Sequence, residues 1–224
     1  MTLVMQTARS AVLGLVVLGL IVFLPAGTLA YWQGWVFIIV FTISANTIGL
    51  YLLLKDPALL ARRLKVGPGA ESRPVQKVLI AIALAGTVGV VVVSAFDYRF
   101  GWSFVPTWVS VFGDFLVALG LMINLLVVRE NSYGAATIEK MEGQTVISSG
   151  PYGLMRHPMY GGVLIMLIGV PPALGSWWGL LFLLLFAPIL VLRIRDEEAM
   201  LRQELDGYME YTRQVRFRLL PGIW

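Results

Sequence analysis

The sequence predicts an all-α, polytopic transmembrane protein: four spanning helices, then a C-terminal helical hairpin and a cytoplasmic tail helix. Three observations predict it. Of 224 residues, 58% are hydrophobic and only 13% charged, against about 25% charged in ordinary soluble domains, and the mean hydropathy is +0.81. Apolar stretches long enough to cross a bilayer, about 20 residues at 1.5 Å each, recur at 11–30, 34–54, 78–96 and 106–128. A fifth apolar region, 161–192, is too long for one straight crossing and is broken by Pro171 and Pro172, then Gly175, Ser176, Trp177 and Trp178. A Pro/Gly turn flanked by tryptophans reads as a hairpin of a shorter and a longer helix.

The first stretch, MTLVMQTARSAVLGLVV, has no small-residue cleavage site after its apolar run and reads as a membrane helix rather than a removed signal peptide. Between the second and third stretches, KDPALLARRLKVGPGAESRPVQK starts as a short amphipathic helix and breaks at Gly67, Pro68 and Gly69, so the 55–77 loop is expected to lie on the lipid headgroups. The positive charges then set the orientation. Arg9 precedes the first span; Lys55, Arg62, Arg63, Lys65, Arg73 and Lys77 fill the 55–77 loop; Arg129, Lys140 and Arg156 follow the fourth span; six arginines lie in the tail. Arg99 alone falls in a loop of the opposite phase. Positive residues stay on the cytoplasmic side, which puts both termini and the 129–160 segment there and requires an even number of passes between 161 and 192. Tyr31, Trp32, Trp35, Trp102 and Trp108 then form an aromatic belt at the opposite interface, as Trp177 and Trp178 do by composition. The chain divides into N-terminal transmembrane helices, 1–128, and a candidate catalytic region, 129–224.

Composition narrows the chemistry. With no cysteine and a single histidine, thiol nucleophiles, disulfides, thiolate metal sites and multi-histidine metal centres are excluded. The net charge of +4 belongs to headgroup-facing loops rather than to nucleic-acid binding. Membrane lipids are the expected surroundings, and the sequence is silent on oligomeric state.

Three polar groups fall on one face: residues 137–160, the arginines near them, and the acidic start of the tail helix, RIRDEE. A hairpin returns its end to its beginning, so Arg156, His157 and Tyr160 are expected beside Arg193, Glu197 and Glu198, around a pocket at the membrane edge. Each residue also has a plain structural reading. His157 before Pro158 is an interfacial helix cap; Glu198 pairs with Arg202 one turn on; Tyr208 and Tyr211 pack. Asp114 and Asn124 are unusual within an apolar helix, and either line a cavity or, for Asp114, sit near the interface.

The combination is more specific than its parts. The runs SSGPYGLMRHPMYGG and ENSYGAATIEKMEGQTVI, the following RIRDEE and the ending GYMEYTRQVRFRLLPGIW strongly resemble the isoprenylcysteine carboxyl methyltransferase family of membrane enzymes that use S-adenosylmethionine. The resemblance covers roughly 124–224 and extends weakly to DPALLARRL. It implies an S-adenosyl-L-methionine site, with S-adenosyl-L-homocysteine as product, formed by Tyr152, His157, Pro158, Met159, Tyr160 and Glu197, with Gln144, Thr145, Val146 and Ile147 contributing mainly backbone. It implies a catalytic role in handling substrate for Arg193, with Arg156 as the second candidate. The tail is one residue shorter than in many members, so Arg193 and Arg195 compete for that register, and Thr137 stands where some members have glutamine. The implied substrate is a lipophilic small molecule or prenylated acceptor bearing a carboxylate. Related membrane methyltransferases act on phospholipid amines or small thiols, and sterol-type reductases share a similar C-terminal topology with NADPH as cofactor. The residue types suit S-adenosylmethionine: donors for its carboxylate, an acceptor for ribose or amine, and aromatic walls. No Gly-rich strand-to-helix motif is present.

Overall fold

The computed structural model describes residues 2–134, 141, 143–185 and 187–224. It is helical, with no strand among the described residues. Helices α1 (Leu3–Ala26), α2 (Trp32–Lys55), α4 (Pro74–Phe100) and α5 (Thr107–Glu130) are long and apolar enough to span a membrane, and α7 (Trp178–Leu184) with α8 (Ala187–Glu204) forms a fifth such length. Between them lie the short α3 (Pro57–Arg63), a 3-10 turn at Gly150–Gly153, α6 (Pro158–Ala173) and the terminal α9 (Tyr208–Gln214).

The four expected spans are present with shifted ends. α1 begins at Leu3 rather than near 11 because the Thr2 hydroxyl accepts from the Met5 amide (3.3 Å) and caps the first turn, drawing Gln6, Thr7 and Arg9 into the helix. It stops at Ala26 rather than 30 because Gly27, at φ +69°, turns left-handed and its amide closes on the Phe23 and Leu24 carbonyls. The hairpin has the expected asymmetry. α6 has 16 residues, about 24 Å at 1.5 Å each, and Leu174–Trp177 return the chain into the longer α7–α8.

α5 and α6 are the closest pair, and small residues let them approach. A Cβ on Gly113 would lie 2.3 Å from the Ala173 amide nitrogen, and one on Gly120 would lie 2.4 Å from the Gly162 carbonyl oxygen; Gly162 and Gly169 face back the same way. Their spacing of seven puts each pair on one helix face, and backbone-to-backbone packing of this kind drives helix association where lipid removes the hydrophobic term. Because Gly162 lies in the second turn of α6, this contact fixes the helix start that carries the RHPMY residues.

The two ends of the bundle are separately tied. At one end α1 begins, α2 ends and α5 ends, with Leu3, Leu52 and Val128 packed together against Leu59 and Leu60 of α3. The α3 part of the 55–77 segment is therefore docked on protein. The cause is specific pairing: Arg62 donates to the Ser132 carbonyl (2.6 Å) and Arg63 to that of Gly134 (2.7 Å). At the other end Tyr31 is buried, stacked on Tyr98 at 4.0 Å between centroids and donating to the Leu174 carbonyl, so it is core rather than part of the belt. Trp32, Trp35, Trp102 and Trp108 are exposed there as expected.

The tail helix also departs from expectation. α8 runs without the expected continuity to Tyr211; it ends at Glu204, and Gly207 at φ +82° makes the turn into α9.

Candidate functional site

The juxtaposition expected from the hairpin is present. The Tyr160 hydroxyl donates to Glu197 Oε2 (2.7 Å), Arg193 Nε donates to the Tyr160 hydroxyl (3.1 Å), and Arg156 Nε donates to Glu198 Oε1 (2.7 Å). Tyr160, Arg156, Arg193 and Glu197 border a cavity of about 180 Å³ at the α2–α5–α6–α8 end of the bundle. Its walls include Gln144, Thr145, Val146 and Ile147, then Tyr152, Arg156, His157, Pro158, Met159 and Tyr160, and across from them Arg193 and Glu197. The residues implied for the cofactor thus line one space. Thr137 lies outside the described residues.

Local rules explain the placement. His157 is the N-cap of α6 with Pro158 at its first position, where a missing N–H costs nothing. The amides of Arg156 and His157 donate to the carbonyls of Phe217 and Arg218 (2.9 Å each), so the tail runs beside this strand-like stretch. Gly150, at φ +54°, turns the chain into the 3-10 turn that presents Tyr152. Asn131 Nδ2 donates to the Tyr152 hydroxyl (2.9 Å), and Tyr211 donates to the Tyr152 carbonyl (2.8 Å).

The two arginines divide their work. Arg156 points into the tail: besides Glu198, it donates to the carbonyls of Val215 (3.0 Å) and Arg216 (3.3 Å). It thereby clamps the tail. Glu198 is likewise more than one half of the i,i+4 pair with Arg202 (3.7 Å); Arg218 Nε lies at 3.0 Å and His157 Nε2 at 3.4 Å. Arg193 is the cation at the cavity wall, and the exposed Arg195 does not share it. Its NH2 pairs with Glu71 (2.9 Å) and its NH1 donates to Gln76 Oε1 (2.8 Å). Arg73 pairs with Asp196 (2.9 Å), to which Gln76 also donates.

Glu71 and Gln76 were invisible to sequence reasoning, although a carboxylate and an amide in the one loop that shares the site's side of the membrane were the signal available. Tyr133, Gly134, Met200, Leu201 and Leu205 complete the walls, with Tyr208 and Tyr211. Asp114 and Asn124 do not reach this cavity; both are buried along the α5 face, with both Asp114 oxygens and Asn124 Oδ1 lacking a partner among the described residues.

The donors and acceptors fit an S-adenosyl ligand. The Tyr208 hydroxyl, buried on the cavity wall, has no hydrogen-bond partner among the described residues, a costly state unless something fills it. The amides of Thr145, Val146 and Ile147 make no backbone hydrogen bond among those residues and remain available as donors. Contacts to Glu197 are made at Oε2, from Tyr160 and at 3.9 Å from His157 Nδ1, so Oε1 remains available as an acceptor. Burial keeps the surrounding phenols neutral. It raises Tyr152 to about 12, with Glu197 adding to the rise and Asn131 opposing it, and it raises Tyr208 and Tyr211 as well. None of the three is a base near neutral pH.

Comparison with known proteins fits this geometry. Residues 108–205 match the family described as phospholipid methyltransferase. That match takes in α5, the cavity segment, the hairpin and α8, and it supports a membrane methyltransferase. Part of the chain is also 33% identical, over 94 residues, to the Delta(14)-sterol reductase of Mus musculus, covering 41% of this chain and 22% of the reductase. Over 114 residues it is 29% identical to the cobalt-zinc-cadmium resistance protein CzcN of Cupriavidus metallidurans, covering 49% of this chain and 50% of that protein. The chain thus spans half or less of the length of these curated relatives.

Proposed function

We propose that the chain is an integral membrane methyltransferase that uses S-adenosylmethionine and acts on a lipophilic acceptor, with the carboxylate of an isoprenylcysteine-like molecule as the favoured group. The observation that carries this reading is the single cavity that unites the unpaired Tyr208 hydroxyl, the free amides of 145–147 and Glu197 on one side with the buried Arg193 on the other. Both termini and the cavity would face the cytoplasm, where the cofactor is met, and the acceptor's hydrocarbon would enter from the lipid between helices.

The amides of Thr145, Val146 and Ile147 and the Tyr208 hydroxyl would hold the cofactor's polar groups, and Glu197 Oε1 would accept from its hydroxyls or amine. When bound, S-adenosylmethionine supplies an electrophilic methyl group. A carboxylate acceptor is already ionised at neutral pH, so no residue must remove a proton, in keeping with the neutral tyrosines. The chain contributes alignment and a dry pocket instead. Arg193, its guanidinium fixed by Tyr160 and Gln76, would orient the acceptor through charge-assisted hydrogen bonds.

The likeness to a sterol reductase supports a second reading, NADPH in the same cavity; the family match over 108–205 favours the first. A screen of purified protein with methyl-labelled S-adenosylmethionine against a prenylcysteine, phosphatidylethanolamine, and lipophilic acids and thiols decides between acceptors. Label in a base-labile ester of the prenylcysteine is the expected result; label only in phosphatidylethanolamine or only in a thiol would replace the carboxylate reading.

A further inference from the structure

Arg193 is 6% exposed and its partner Glu71 is 3% exposed, so the ion pair between them is held away from water. A guanidinium this buried is strongly unfavourable without an anion beside it. If Arg193 receives an acceptor's carboxylate, it therefore needs another anion whenever no acceptor is bound. We propose that Glu71 is that anion: a positioning residue that holds the place of the acceptor's carboxylate at Arg193 NH2 and yields it when an anionic acceptor arrives. This rests on the methyltransferase reading above and adds to it the device that makes the site select for an anion.

The geometry separates what stays from what leaves. Nε of Arg193 is committed to the Tyr160 hydroxyl and NH1 to Gln76 Oε1, so the plane of the guanidinium is set without Glu71. Gln76 lies in the first turn of α4, and that turn is fastened to α8 because both Arg73 and Gln76 donate to Asp196. Glu71 instead sits in the non-helical stretch 64–73 between α3 and α4. It can withdraw while α4 and Gln76 remain in place. Glu197, one turn along α8 from Arg193, is engaged with Tyr160 and does not compete for NH2. Glu71 and Gln76 both lie outside the 108–205 region that matches the methyltransferase family, so the device belongs to this chain's N-terminal half.

A resident carboxylate lowers the apparent affinity for an incoming one by the fraction of time the site is held. The test measures binding of N-acetyl-S-farnesylcysteine and of its methyl ester to the detergent-purified full chain and to E71Q, with S-adenosylhomocysteine as a control. E71Q should bind the acid about tenfold more tightly, with affinities for the ester and for S-adenosylhomocysteine within about twofold of the parent. Unchanged or weaker acid binding in E71Q with S-adenosylhomocysteine binding intact overturns the proposal. A second measurement covers the case in which E71Q does not fold. The chain has no cysteine, and Gly69 has open space around a Cβ and no positive φ, so G69C can carry a single nitroxide with Glu71 in place. The acid should raise the label's mobility and the ester should not; no response to the acid, or an equal response to both, contradicts the displacement. Loss of S-adenosylhomocysteine binding by the parent protein, with the acid response preserved, would instead count against the methyltransferase reading alone.

Discussion

The two ends of the bundle each carry a buried carboxylate network, and they are built to different purposes. At the end away from the cavity, Asp97 Oδ1 accepts from the Ser103 amide (2.8 Å), and Oδ2 accepts from the hydroxyls of Ser103 and Ser176 (2.6 Å for Ser176). Those hydroxyls accept in turn from the amides of Trp177 and Gly179. The network is closed: each atom has a partner, and its partners are the loop after α4 and the turn between α6 and α7. At the other end, Glu198 gathers Arg156, Arg218 and His157 in the same way, but the next turn around is left open, with an unpaired Tyr208 hydroxyl beside a cavity that Glu197, Thr145, Val146 and Ile147 also line. Satisfied polar groups staple a fold, whereas the same groups left unpaired around a space imply a ligand.

Substitutions at the two ends should therefore separate stability from binding. The largest effect is expected for Glu198→Ala, which strips the shared anion from Arg156 and Arg218; a loss of about 3–5 kcal/mol is expected for removing one partner of a buried pair, read as a lowered thermal midpoint in detergent. Arg193→Ala should reduce methyl transfer by about 100-fold or more, in the range for loss of a donor to the reacting group, while S-adenosylhomocysteine affinity changes by less than about threefold. Unchanged turnover at saturating cofactor would remove Arg193 from acceptor handling. At the closed end, Asp97→Ala should cost about 2–3 kcal/mol by leaving Ser103, Ser176 and their amides underpaired, with ligand affinity untouched; a comparable loss of ligand binding would mean that the two ends are coupled. The smallest effect is expected for a matched pair. Tyr208→Phe should weaken S-adenosylhomocysteine by about three- to tenfold, the worth of roughly one hydrogen bond, without lowering the midpoint, and Tyr31→Phe should do the reverse.

Alkaline pH offers one more distinction. Burial holds Tyr152 at about 12 against an ordinary 10. A group whose folded value is raised contributes its stability fully below the unfolded value and loses it as pH climbs toward the folded one. Turnover should thus show no basic limb from these phenols near neutrality, and the stability held by Tyr152 should fade between about pH 10 and 12. A tyrosine-dependent limb below pH 9 would mean that a phenol acts as a base.

Much of this was legible in the sequence. Hydropathy and the Pro171–Trp178 break reveal the spans and the hairpin, because bilayer thickness fixes helix length and proline with glycine punctuates it. The hairpin alone brings the RHPMY stretch to RIRDEE. Two features were not legible. Glu71 and Gln76 meet Arg193 across more than a hundred residues, from a loop without periodicity and from the first turn of α4, and no local pattern encodes such a contact. The α5–α6 approach depends on which faces Gly113, Gly120, Gly162 and Gly169 present to one another, whereas Gly14, Gly19 and Gly49 of α1 and α2 have nothing near them. The contacts of Arg156 were not legible for a related reason: its motif neighbours line the cavity, but its guanidinium is drawn to Glu198 and the tail carbonyls, which a linear motif does not show.

The central claim is that the open end holds an S-adenosyl cofactor, and calorimetric titration of the purified chain with S-adenosylhomocysteine and with NADPH tests it most directly. Saturable binding of S-adenosylhomocysteine, weakened in Glu197→Ala and unaffected in Asp97→Ala, is the result expected. Binding of NADPH with none of S-adenosylhomocysteine would contradict it and return the cavity to a reductase.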